Sequence, residues 1–71
     1  MSPMQLRLAR TLASVSRAKL AKLSGVSLQT IGNYERGDTQ IIRANHDALV
    51  RTLESLGVEF LEDDGVKRRK G

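Results

Sequence analysis

Gln29, Asn33 and Arg36 lie four and three residues apart, and Arg17 and Lys19 stand a short way upstream. At ~100° per residue, a helix places Gln29, Gly32, Asn33 and Arg36 on one side and Ile31, Tyr34 and Glu35 on the other. A carboxamide carries a donor and an acceptor side by side, so Gln and Asn can pair bidentately with the N6/N7 edge of adenine. Arginine and lysine hold phosphates without discriminating bases. Leu28, at the entrance of the same helix, is placed to touch a thymine methyl. Gly32 costs such a helix up to ~1 kcal/mol of propensity. The expected compensation is close approach of another surface, DNA or protein. The competing description of all these residues is an ordinary solvated helix face.

The elements that must position these groups are short. Ser2-Pro3 reads as a helix start, and Leu6, Ala9 and Ala13 continue one face over a helix at 3–13. Ser16 caps a second helix, 17–24, with Leu20 and Ala21 inward; Gly25 ends it in a left-handed turn that Val26 plugs. Ser27 caps a third helix, 28–36, which Gly37 closes. Helices of eight or nine residues persist only when packed. Ala21, Gly25 and Ile31, surrounded by Leu20, Val26 and Tyr34, specify a steep crossing, a helix-turn-helix unit over 17–36. Nine residues span ~13 Å, which suits a major groove ~12 Å wide.

Beyond this unit, Ile41 and Ile42 are expected to tuck against the core from the loop "DTQIIRA". A fourth helix follows, with Asn45 as its cap, Asp47 in its first turn, and His46, Leu49, Val50, Leu53 and Leu56 as its stripe. Gly57 stops it. "VEFL" reads as a strand, and Asp64-Gly65 as a hairpin turn that can pair Val66–Arg69 back against it.

"LAKLSGVSLQTIGNYERG", with Leu-Ala, Gly-Val-Ser, Ile and Glu-Arg-Gly at these spacings, resembles the Cro/repressor (Xre-type) helix-turn-helix family of transcriptional regulators. "LESLGVEF" is similar to the close of small bacterial members. The resemblance spans residues 6–60. It implies an all-α, four-helix or five-helix lambda-repressor-like domain with a short C-terminal strand or hairpin. The domain would cover 1–61, with 62–71 as a turn and basic tail or second strand.

The function it implies is sequence-specific binding of an operator in double-stranded DNA, as a homodimer on a palindrome. Base readout would fall to Leu28, Gln29, Gly32 and Asn33, and phosphate contacts to Arg17, Lys19 and Arg36. Arg17 stands where the family usually has glutamine. Family members also use a partly buried ion pair between the first and third helices, here Arg10 with Glu35. Leu56, Val58, Phe60 and Leu61 are more apolar surface than so small a core can bury, and are expected to form a dimer or partner interface. The alternative is an antiactivator that uses the fold, with apolar Leu8 and Leu28 outward, to mask another transcription regulator.

Charge agrees with a polyanionic partner. Residues 1–36 carry six basic side chains against Glu35 alone, a balance of +5; residues 37–66 carry −5, and Lys67, Arg68, Arg69 and Lys70 add +4. Other chemistries find little support. There is no cysteine for thiolate metal ligation, and His46, the only histidine, has no carboxylates at metal-ligand spacing. Asp63-Asp64-Gly65 lacks the rest of a calcium loop. An enzyme, a metal, a cofactor and a small-molecule ligand are therefore not expected. No run approaches ~18 apolar residues, and the first residues lack a secretory profile, so the expected location is the cytoplasm, with the nucleoid.

Overall fold

Three serines start three helices. Ser2 Oγ accepts from the Gln5 N–H (3.1 Å), Ser16 Oγ from Lys19 (3.0 Å) and Ser27 Oγ from Thr30 (3.1 Å), each satisfying a donor that the first turn leaves free. The computed structural model describes residues 1–69, so Lys70 of the basic tail lies outside the described residues. Its helices are α1 (Pro3–Ala13), α2 (Arg17–Ser24), α3 (Leu28–Glu35) and α4 (Arg43–Ser55). Two strands follow, β1 (Val58–Phe60) and β2 (Val66–Arg68).

The sharp α2–α3 turn depends on Gly25, whose φ of +79° is costly for any residue with a Cβ. The Gly25 N–H closes the last turn of α2 on the Ala21 carbonyl at 2.9 Å. Around this turn the core draws on the four helices and β1: Leu6 and Ala9 from α1, Leu20 from α2, Ile31 and Tyr34 from α3, Leu49 and Leu53 from α4, and Val58 from β1, with Val26 sealing the turn. Fully burying a leucine or isoleucine contributes ~1.5–3 kcal/mol. α2 and α3, too short to stand alone, are thus held by what they pack against.

Two details at α4 depart from expectation. The helix begins at Arg43, with Ile42 at the cap position and no side-chain cap bond, so Asn45 lies inside the first turn. Ile41 packs against the core, but Ile42 is 66% exposed. Successive residues in extended backbone point to opposite sides, so one of the two isoleucines had to face outward. Of the stripe on α4, Leu49 and Leu53 are buried and Leu56 is exposed.

β1 and β2 pair antiparallel, Val58 opposite Arg68, Glu59 opposite Lys67 and Phe60 opposite Val66. The left-handed residue of the connecting turn is Asp64 (φ +65°), not Gly65. Gln5, 5% exposed, docks this hairpin on α1. Its Nε2 donates to the carbonyls of Leu61 (2.9 Å) and Gly65 (3.1 Å), while its Oε1 accepts from the Ser2 N–H (2.9 Å). Arg68 Nη2 adds a bond to the Leu12 carbonyl at 3.0 Å. The hairpin therefore runs across the boundary expected at residue 61, and both of its strands pack on the helical body. No helix among the described residues is long and apolar enough to cross a membrane.

Candidate nucleic-acid interface

α3 is fixed from beneath by Ile31 and Tyr34, and its free face is set by that burial. The Tyr34 hydroxyl donates to the Met1 carbonyl at 2.6 Å, and burial raises the phenol above its ordinary pKa. Glu35, on the same inward side, has a side chain with no exposed area. It takes two arginines. Arg10 binds it with a fork, Nε to Oε2 at 2.6 Å and Nη2 to Oε1 at 2.9 Å. Arg17, the first residue of α2, adds Nε to Oε1 at 3.0 Å. Burial alone would raise the Glu35 carboxyl, but the hydrogen bonds and charges of the two guanidinium groups outweigh it and hold the group below the ordinary carboxylate range. One negative charge is thus shared between two positive ones. The surplus sits on the Arg17 side, since the Arg10 side chain is 18% exposed and that of Arg17 is 40% exposed.

Arg36 caps the end of α3. Its Nε donates to Asp38 Oδ2 at 3.0 Å and its Nη2 to Asn33 Oδ1. The guanidinium lies across Gly32: a Cβ built there would meet Arg36 Nη1 at 3.2 Å and Arg17 Nη1 at 4.0 Å. Two guanidinium groups, one from α2 and one from α3, therefore converge on the place where a side chain is missing. Gly32 is buried beneath them and is not itself an open surface. This corrects the expectation that it meets an outside partner. What approaches the glycine closely is the protein's own arginine.

Leu28 and Gln29, at the start of α3, are exposed, and the Gln29 side chain makes no hydrogen bond to the described residues. Lys19 is exposed on α2. Asn33 is half-buried beside Arg36. The arrangement presents a free carboxamide and an apolar side chain at one end of α3, with guanidinium groups at its other end and at the start of α2. Such a face can offer hydrogen bonds to base edges while holding phosphates on either side.

Residues 6–45, more than half of the chain's 71, match the helix-turn-helix family. The chain belongs to the Cro/repressor (Xre-type) helix-turn-helix family. It is a DNA-binding domain of the kind that regulates transcription. Comparison with curated proteins gave no match.

α2 and α3 are the two helices of the helix-turn-helix unit, and both lie within the matched residues. The apolar residues expected at an interface lie on the far end of the chain and do not behave alike. Leu56 and Leu61 are exposed, and Phe60 is partly buried against the core. Val58 is 1% exposed and belongs to the core, so it cannot line an interface as expected. β1 has only three residues, and the alternation that turns Glu59 out turns Val58 in. Gln5 was missed in the sequence. The spacing Ser2-x-x-Gln5 is a capping-box signature and the structure contains that box, yet nothing local could have shown that the other end of the same amide holds a hairpin 56 residues away.

Proposed function

We propose that this protein is a sequence-specific regulator that binds operator DNA as a two-fold dimer, with α3 in the major groove. The observation that supports this most directly is the pair of guanidinium groups converging at Gly32 beside the exposed face of α3. Arg17, Lys19 and Arg36 hold phosphates, Gln29 reads base edges, and Leu28 contacts a thymine methyl. Asn33 reads beside them. One helix-turn-helix unit covers few base pairs, so two copies related by a dyad supply an adequate site. Leu56, Phe60 and Leu61, with the hairpin edge, provide the contact between copies.

The test is a salt titration on random duplex, followed by selection of bound sequences from a random pool. Affinity that falls steeply with salt, together with a two-fold symmetric selected site, is the expected result. The exposed apolar pair Leu8 and Leu28 favours a second reading, an antiactivator that masks another regulator. Absence of duplex binding at low salt, together with capture of a protein through α3, would replace the first reading by the second.

A further inference from the structure

Arg17 and Arg36 are anchored alike. Each gives its Nε–H to a carboxylate, Arg17 to Glu35 Oε1 at 3.0 Å and Arg36 to Asp38 Oδ2 at 3.0 Å. A guanidinium has five N–H donors. Arg17 therefore keeps four, and Arg36, which gives one more from Nη2 to Asn33 Oδ1, keeps three. The Nη1 atoms of both residues make no hydrogen bond among the described residues, and they approach the same place. A Cβ built on Gly32 would lie 3.2 Å from Arg36 Nη1 and 4.0 Å from Arg17 Nη1, so both nitrogens stand within 4.0 Å of one point. Two positive groups brought together repel unless negative charge lies near them. Glu35 and Asp38 supply it from behind, at the Nε ends, and the converging ends are left for an anion from outside.

We infer that Arg17 and Arg36 close on one and the same DNA phosphate, so that α2 and α3 grip the backbone together beside Gly32. This rests on the proposal that α3 lies in the major groove. Charge-assisted bonds of ~2.8 Å from the two forks to the oxygens of a single phosphate cover the separation between them. Two phosphates held separately would need forks that diverge, and these converge. Each guanidinium has a carboxylate at its back, so it takes both to neutralise one phosphate. Such a clamp carries no sequence information of its own. It fixes the register of α3, and Leu28 and Gln29 at the start of the helix then meet defined base edges. Glu35 and Asp38 are positioning residues for the clamp, since each holds the Nε of one fork.

The experiment is a salt titration on random duplex with the full chain, Arg17→Met, Arg36→Met and the double variant, each shown to be folded by a thermal melt. Neutralising one phosphate contributes ~0.9 to the slope of log K against log salt. Each single variant should flatten the slope by about that amount and weaken all sequences alike. The double variant should flatten it no further, because the same phosphate is lost in all three. Flattening by about twice that amount in the double variant means two phosphates, and overturns the inference while leaving DNA binding intact. Arg17→Met also takes one of Glu35's two partners. Should it unfold, Arg17→Lys replaces it, keeping the charge without the fork. Arg36→Met should then cost Arg17→Lys a smaller fold-loss of affinity than it costs the parent protein, and an equal loss overturns the inference. A parent protein that binds no duplex overturns both readings.

Discussion

Glu35 is the residue on which the basic half of the chain turns. Two arginines share its carboxylate, and it ties α1, α2 and α3 at one point. A buried pair stabilises a fold weakly, but removing one member leaves an uncompensated charge. Glu35→Ala should cost about 3 kcal/mol, the lower end for such a loss, because Arg17 can turn to water while Arg10 cannot. The pH dependence follows from the lowered carboxyl. A group whose folded pKa lies below its unfolded one contributes stability that is present above the unfolded value and disappears as pH falls through the folded value. Urea unfolding of the parent protein should therefore lose midpoint below about pH 4.3, the ordinary glutamate value. A Glu35→Gln variant should lose less over the same interval. Equal losses in both would remove Glu35 from the account.

The same scale separates base readout from phosphate contact. Gln29→Ala should cost about 1–3 kcal/mol on the selected site and relax preference at one position. Arg17→Ala should weaken all sequences alike and reduce the salt slope by about one unit. Arg17 also binds Glu35, so a thermal melt must accompany its titration. A Gln29→Ala variant that weakens every duplex uniformly would assign that residue to the backbone of DNA.

At the scale of elements, what could be read in advance is whatever short-range chemistry dictates. Serines three residues ahead of capped amides, Gly25 in its left-handed turn, and Ile31 and Tyr34 on one face of α3 follow from local spacing, and they place the helix-turn-helix unit. Asp64-Gly65 marks the hairpin turn on the same footing. Contacts across the chain were not legible in the residues themselves. The resemblance implied that Glu35 pairs with Arg10, but only the structure shows Arg17 as a second arginine on the same carboxylate. Gly32 looks like a gap because its filler, Arg36, is four residues away and a side chain's direction is not a sequence property. Val58 was misplaced because alternation gives the two faces of a strand without saying which one is inward.

Gln5 belongs to this scale as well. Its amide hydrogens satisfy the carbonyls of Leu61 and Gly65, and its oxygen completes the cap of α1. Replacing a buried hydrogen-bonding group costs about 1–3 kcal/mol for the partner left unsatisfied. Gln5→Leu keeps the approximate volume but takes the donor from the Leu61 carbonyl, while the Gly65 carbonyl keeps its bond from the Leu61 N–H at 2.9 Å. It should release the hairpin before the helical body, seen as faster amide exchange at Phe60 and Val66 while Ile31 and Leu53 stay protected. Uniform acceleration across all four amides would mean that hairpin and helices open as one unit.

At the scale of the whole molecule, dimension argues for a second copy. One chain is 31 Å in its longest extent. Recognition helices in successive major grooves on one face of DNA lie ~34 Å apart, which a single α3 cannot span. The surface best placed to join two copies is the end of α4 with the hairpin, where Leu56 and Leu61 are exposed and Phe60 is only partly covered. A two-stranded sheet also leaves strand edges unpaired, and such edges favour pairing with a like strand across a dyad. Charge does not oppose the contact, since Lys67 pairs with Glu59 at 3.7 Å across the hairpin. Leu56→Glu or Leu61→Glu should place two like charges near the dyad and shift sedimentation from twice the chain mass to the single 7.8 kDa chain. Affinity for a full palindrome should then fall toward that for a half-site, with half-site affinity itself unchanged, because neither leucine lies near α3's free face. If the parent protein sediments as a single chain at micromolar concentration both with and without its selected duplex, the two-fold dimer is wrong, and one α3 must suffice for the selected site.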